Sequence, residues 1–236
     1  MAQHATRLGR ANGAGGAVSG VVLLLPGSSR LAPGPVHRLT RALSRAGTAE
    51  GLVTHVVRYG RTEAGGGALT EAAEWGAAEA LRRYGDVPIC LAGYGDGALA
   101  ALRAAGHEGV NSALALAPCV PEGEFGNSPE PVKQLSGRRV LIVHGTNDSR
   151  TDPELSFHLA ARAKKANRNT CRFEVHSDGH GLREHRAEVV ALAVDFVLGS
   201  VFTGRYSRPV TDALAAPPPL GLRMPLASGF GRALRG

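Results

Sequence analysis

The chain is short of lysine and cysteine and has no long apolar run. Only Lys133, Lys164 and Lys165 are lysines among its 27 basic residues. Its three cysteines, Cys90, Cys119 and Cys171, lie far apart and form no CxxC pair. That argues against a disulfide framework and a metal site, and suits a reducing compartment. No stretch reaches the ~18 apolar residues of a spanning helix, so no membrane partner is expected. The opening segment MAQHATRLGRANGAGGAVSG lacks the apolar core of a secretory signal. A cytoplasmic location is the expectation. What is present suits a folded domain: 236 residues, 43% hydrophobic and 20% charged, which excludes wholesale disorder.

The formal charge of +7 invites a nucleic-acid reading, but its placement argues against one. Residues 1–19 carry +2 and residues 204–236 carry +4, which leaves +1 for the stretch 20–203. The arginine-rich, Ala/Gly-rich composition matches a GC-rich coding bias. The expected partner is a small-molecule substrate, with no nucleic acid; oligomeric state is not legible.

Short apolar runs alternate with amphipathic stretches between residues 20 and 200. The runs are Val21–Leu25, Val53–Val57, Pro88–Leu91, Ser112–Leu116, Val140–Val143 and Cys171–Val175. The helical stretches are Pro35–Ala46, Ala68–Tyr84, Asp96–Ala105, Pro153–Ala166 and Leu182–Val197. This order predicts an α/β fold with a mostly parallel sheet of about six strands and helices on both faces. Residues 1–19 read as a disordered lead, and 204–236 as a basic, Pro-rich tail that is extended or disordered. An alternative for the tail has its scattered apolar residues folding over a cleft.

In open parallel sheets, sites form beyond the carboxyl ends of the strands. Four loops there carry polar and glycine residues: Pro26-Gly27-Ser28-Ser29, Gly93-Tyr94-Gly95-Asp96-Gly97, His144-Gly145-Thr146-Asn147-Asp148 and Ser177-Asp178-Gly179-His180-Gly181. LAGYGDGALAAL has the strand, sharp turn and helix of a G-x-S-x-G nucleophile elbow. VLIVHGTND is similar to a penultimate strand with its acid loop, and SDGHGL to a histidine loop before a final helix. In this order the chain resembles the α/β-hydrolases over roughly residues 20–200, and in particular small lidless esterases and dienelactone-type hydrolases. The resemblance implies a hydrolase domain over 20–203 with no cap domain. It also implies Asp148 as triad acid, His180 as base, and no cofactor or metal. The antiparallel hairpin that often opens the family's sheet finds no counterpart in residues 1–19.

The departure from the pattern is at the nucleophile, where glycine stands. Gly95 offers no hydroxyl, thiol or carboxylate, so no acyl-enzyme forms there. Shifting the frame to make Asp96 the nucleophile would put Tyr94 at a position that needs a small residue. The amide of Asp96 and the amide of Ser28 are the expected oxyanion donors. Tyr94, Asp96 and Ser28 are the expected substrate contacts, and Gly95, Asp148 and His180 the expected catalytic set. His180 would then activate a water for attack on an activated ester, lactone or thioester. The alternatives are a non-catalytic binding scaffold on a hydrolase fold, a His-driven lyase or cyclase, and an ordinary serine hydrolase engineered from Ser to Gly. His144 reads as structural, Asp178 as a turn residue, and Cys90 and Cys171 as core. Cys119 follows a strand on the active edge, where a reactive thiol is a further alternative. Asp148 could instead cap the helix that begins near Asp152.

Overall fold

The computed structural model describes residues 6–27, 34–59, 66–123 and 130–231. In chain order the elements are β1 (Arg7–Leu8), β2 (Asn12–Gly13), β3 (Gly20–Leu25), α1 (Gly34–Gly47), β4 (Leu52–Arg58), α2 (Gly66–Tyr84), β5 (Ile89–Tyr94) and α3 (Asp96–Arg103). There follow β6 (Val110–Leu116), β7 (Arg139–Gly145), α4 (Pro153–Ala166), β8 (Thr170–Val175), α5 (Arg186–Leu198), α6 (Arg208–Ala215) and β9 (Met224–Pro225). Each of the six apolar runs lies within or overlaps one of the six long strands, β3 to β8. The sheet order is β1-β4-β3-β5-β6-β7-β8-β9, with β2 also on β4. Strands β3 to β9 pair in parallel.

The strands are continuous apolar runs because both faces are covered. Along β3, Val21, Leu23 and Leu25 belong to the apolar layer that also holds residues of α2, α3 and α4, while Val22 and Leu24 belong to the layer on the other face that holds residues of α1 and α5. This is the period-2 alternation of a sheet between two helical layers. The fold is that of the α/β-hydrolases, with no separate cap domain among the described residues. Among these residues, no single helix is long and apolar enough to cross a membrane.

Both flanks depart from expectation. The lead is not disordered over residues 7–13: β1 and β2 each pair antiparallel with β4, so an antiparallel opening does exist. Leu8 is buried, and Gly9 O receives Nδ1 of His55 at 2.8 Å. Two-residue strands show no period, so only the contacts with β4 reveal them. The tail is ordered too over its described residues, 204–231. Val210 and Ala213 of α6, then Leu222 and Leu226, are buried. Lys164 Nζ donates to the carbonyls of Thr170, Ala213 and Leu214 at 2.8, 3.1 and 3.0 Å, closing the end of α6. Strand β9 then adds to β8 in parallel. The tail therefore extends the sheet edge and fills the helical layers.

Candidate active site

Three glycines shape the turn after β5. A Cβ on Gly93 would lie 2.1 Å from the Gly97 carbonyl oxygen, and one on Gly97 would lie 2.2 Å from the Leu25 oxygen. Both positions admit only glycine. Gly95 sits between them at φ 59° and ψ −122°, a conformation that L side chains rarely adopt. Yet there is room for a side chain here. Among the described residues, a Cβ on Gly95 would meet only Cys119 Sγ and His180 Nε2, each at an ordinary 3.6 Å. Asp96 is one residue further on, at the start of α3, where N–H groups lack intrahelical partners. Tyr94, at the end of β5, is buried and donates its hydroxyl hydrogen to His180 O at 3.1 Å.

Beyond β7 the chain bends into the loop that holds Asp148. Its Oδ1 accepts the amides of Arg150 and Thr151 at 2.9 and 3.1 Å. Its Oδ2 accepts from Thr151 Oγ1 at 2.8 Å, His180 Nδ1 at 2.7 Å and His144 Nε2 at 3.0 Å. Burial alone would push this carboxyl up. Hydrogen bonds from His144, His180, the Arg150 amide and Thr151 outweigh it and hold the group well below the ordinary carboxylate range. Asp148 does not cap α4. That role belongs to Asp152, whose side chain accepts the Glu154 amide at 2.8 Å.

The loop after β8 presents His180. Asp178, 2% exposed, organises it: its carboxylate accepts the amides of Gly179, Arg183, Glu184 and His185. This turn residue is the scaffold of the histidine loop. Asp148 can only accept, so His180 Nδ1 carries a proton, and in the neutral imidazole the lone pair is on Nε2. That Nε2 has no hydrogen-bond partner among the described residues and is directed at the Gly95 turn.

The structure thus brings Gly95, Asp148 and His180 together, with Tyr94 and Asp96 alongside. Gly95, His180, Tyr94 and Asp96 border a cleft of about 180 Å³, which Gly27, Cys119, Arg150 and Thr151 also line. Ser28, the other expected amide donor, lies outside the described residues. Gly27 packs against the Tyr94 carbonyl, so the loop after β3 does reach the turn. Sequence reasoning passed over Thr151 and assigned His144 no role at the site. Neither has a motif of its own; His144 stands four residues before Asp148 at the end of β7, and that spacing was the available signal. Cys119 borders the cleft, tied by its amide to Gly95 O at 3.2 Å. Burial, then the Asp96 carboxylate, pushes its thiol up to about 12. Cys90 and Cys171 are fully buried in β5 and β8. No group of three or more His, Cys, Asp or Glu among the described residues is placed to hold a metal ion.

A mostly parallel central sheet, a glycine-flanked turn after β5 and a His–Asp pair on the loops after β7 and β8 define an α/β-hydrolase fold. The profile of the prolyl oligopeptidase family matches residues 126–201, about a third of the chain, covering β7 to α5. No curated protein matches the chain in sequence. Among solved structures, the chain is similar to Est1E of Butyrivibrio proteoclasticus with ferulic acid bound, at 15% identity and a TM-score of 0.63, over 83% of this chain and 95% of that one. An alpha-beta serine hydrolase homologue from Coxiella burnetii aligns at 17% identity and a TM-score of 0.59, over 82% and 97%. An esterase of Pyrococcus furiosus aligns at 16% and 0.61, over 78% and 84%. At these identities the likeness establishes the fold.

Proposed function

We propose that the chain hydrolyses small activated esters, lactones or thioesters by His-activated water, without an acyl-enzyme. The observation that carries this reading is His180 Nε2, oriented by Asp148 and 3.6 Å from where a Cβ on residue 95 would stand, at a turn position where Gly95 offers no nucleophile. A water between them is the general-base substrate. It attacks the acyl carbon and gives its proton to Nε2; Asp148 stabilises the imidazolium. The amide of Asp96 stabilises the oxyanion at the N-terminus of α3. His180 then returns the proton to the leaving group. A cleft of about 180 Å³ suits a compact acyl group.

Cys119 is the rival nucleophile within reach. Its thiol is pushed up to about 12, by burial and then by the Asp96 carboxylate, so it does not rest as a thiolate at neutral pH. The test is turnover of an aryl ester or thioester. His180→Ala and Asp148→Asn are each expected to lower kcat by a hundredfold or more, on the order of general-base losses. A fluorophosphonate is expected to label nothing, and Cys119→Ala to keep turnover. Acylation of Cys119 by substrate would replace water with the thiol. Absence of turnover, with ligand still bound in the cleft, would leave a binding scaffold.

A further inference from the structure

The catalytic carboxylate is held by a second histidine, and that histidine belongs to a buried chain of hydrogen bonds. His144 and Arg172 are fully buried. Asp148 is an acceptor only, so His144 must donate from Nε2. Burial, together with Arg172 nearby, keeps His144 below its ordinary value despite the Asp148 carboxylate, so it is neutral at pH 7. A neutral imidazole has one donor and one acceptor, so Nδ1 accepts. Its partner is the Ser156 hydroxyl at 2.9 Å, whose hydrogen also faces the Pro153 carbonyl at 2.8 Å and whose oxygen accepts from Arg172 Nε at 3.0 Å. Arg172 also donates to Glu174 at 2.7 Å and to the Leu222 carbonyl of the C-terminal segment at 3.0 Å. Arg172 thus donates to Ser156 and His144 to Asp148, while the single Ser156 hydrogen is divided between His144 Nδ1 and the Pro153 carbonyl.

We propose that His144 is a positioning residue for the hydrolytic site, fixing Asp148 Oδ2 and moderating how strongly that oxygen holds the His180 proton. This rests on the proposed hydrolytic function only for its kinetic readout. Oδ2 divides its acceptor capacity among Thr151, His144 and His180. Removing the His144 donor leaves a stronger acceptor for His180 Nδ1–H, which favours the imidazolium. A general base that holds its proton more tightly is active only at higher pH. Tyr94, Asp96, Cys119 and Arg150 share the cleft with His180, and Arg172 stands behind His144. Substitution at 144 removes none of them.

His144→Leu is expected to move the acid limb of the kcat/KM profile upward by about half a unit or more and to lower kcat about tenfold, the scale of one lost bond to a charged group. His144→Gln keeps a donor for Oδ2 and an acceptor for Ser156, so it should restore both to within about twofold. The imidazole titration of His180 in unliganded protein, followed by NMR, should move in the same direction. An unchanged NMR midpoint in a folded His144→Leu protein overturns the proposal. A shifted midpoint without any ester turnover overturns the hydrolytic reading and leaves this one standing. Should the Leu variant fail to fold, ¹⁵N shifts of His144 in the unmutated protein decide. Nε2–H at neutral pH is expected, and Nδ1–H or an imidazolium overturns it.

Discussion

At the scale of one residue, the proposed function turns on Gly95, which on that reading stands where a serine hydrolase has its nucleophile. The backbone there already has the conformation an elbow nucleophile takes, and the space for a side chain is open toward His180. Gly95→Ser is expected to fold at a cost of about 1–3 kcal/mol, the price of an L residue at this φ. Its hydroxyl would lie beside Nε2, so burst release of an aryl leaving group and fluorophosphonate labelling should both appear. A folded variant with neither would mean that His180 is not aimed at position 95. Gly93→Ser, by contrast, should prevent folding, because its Cβ would overlap the Gly97 backbone.

At the scale of elements, the C-terminal segment is part of the domain. Val210 and Leu222 are fully buried and Leu226 nearly so. Each such side chain contributes about 1.5–3 kcal/mol. Truncation after Ser207 removes all three and takes Ala213 and Leu214 carbonyls from Lys164 and the Leu222 carbonyl from Arg172. Melting about 10 °C or more lower is expected by calorimetry or circular dichroism. Whatever activity the protein has should fall with it, because the chain from Arg172 to Asp148 loses an anchor. An unchanged melting curve would show that α6 and β9 carry no stability.

At the scale of the whole molecule, acid should destabilise the fold in two stages. His55 is held below 6.5 by burial; its Nδ1 donates to Gly9 O and its Nε2 accepts from Tyr84 at 2.6 Å. His144 is lowered likewise. For a group with a depressed folded value, stability is complete above the unfolded value and is lost as pH falls through it. The first stage therefore begins near pH 6.5. The second begins below about 4.5, where the lowered carboxyls of Glu154 and then Asp148 lose their contribution. Melting temperatures recorded from pH 8 to 3 should show both, and replacing His55 and His144 by Gln should flatten the first. A constant melting temperature from pH 8 to 5 would contradict it.

Much of this protein follows from sequence alone. Strands buried on both faces need unbroken apolar runs, so β3 to β8 were legible, as were the five helices between and after them. The glycines at 93, 95 and 97 marked the turn because backbone meets backbone there, and no other residue fits at 93 and 97. Asp148 and His180 stood on the loops that the strand order brings to one edge. The rest was decided in three dimensions. Strands β1 and β2 are too short to show a period and exist only against β4. The tail reads as basic and Pro-rich, yet its order comes from Lys164 and Arg172, which meet its carbonyls about 50 positions away. His144 looks like the last residue of a strand until the fold sets Asp148 on one side of its ring and Ser156 on the other. A hydrogen bond across such separations leaves no pattern in a chain, because its two ends are chosen by the packing that brings them together.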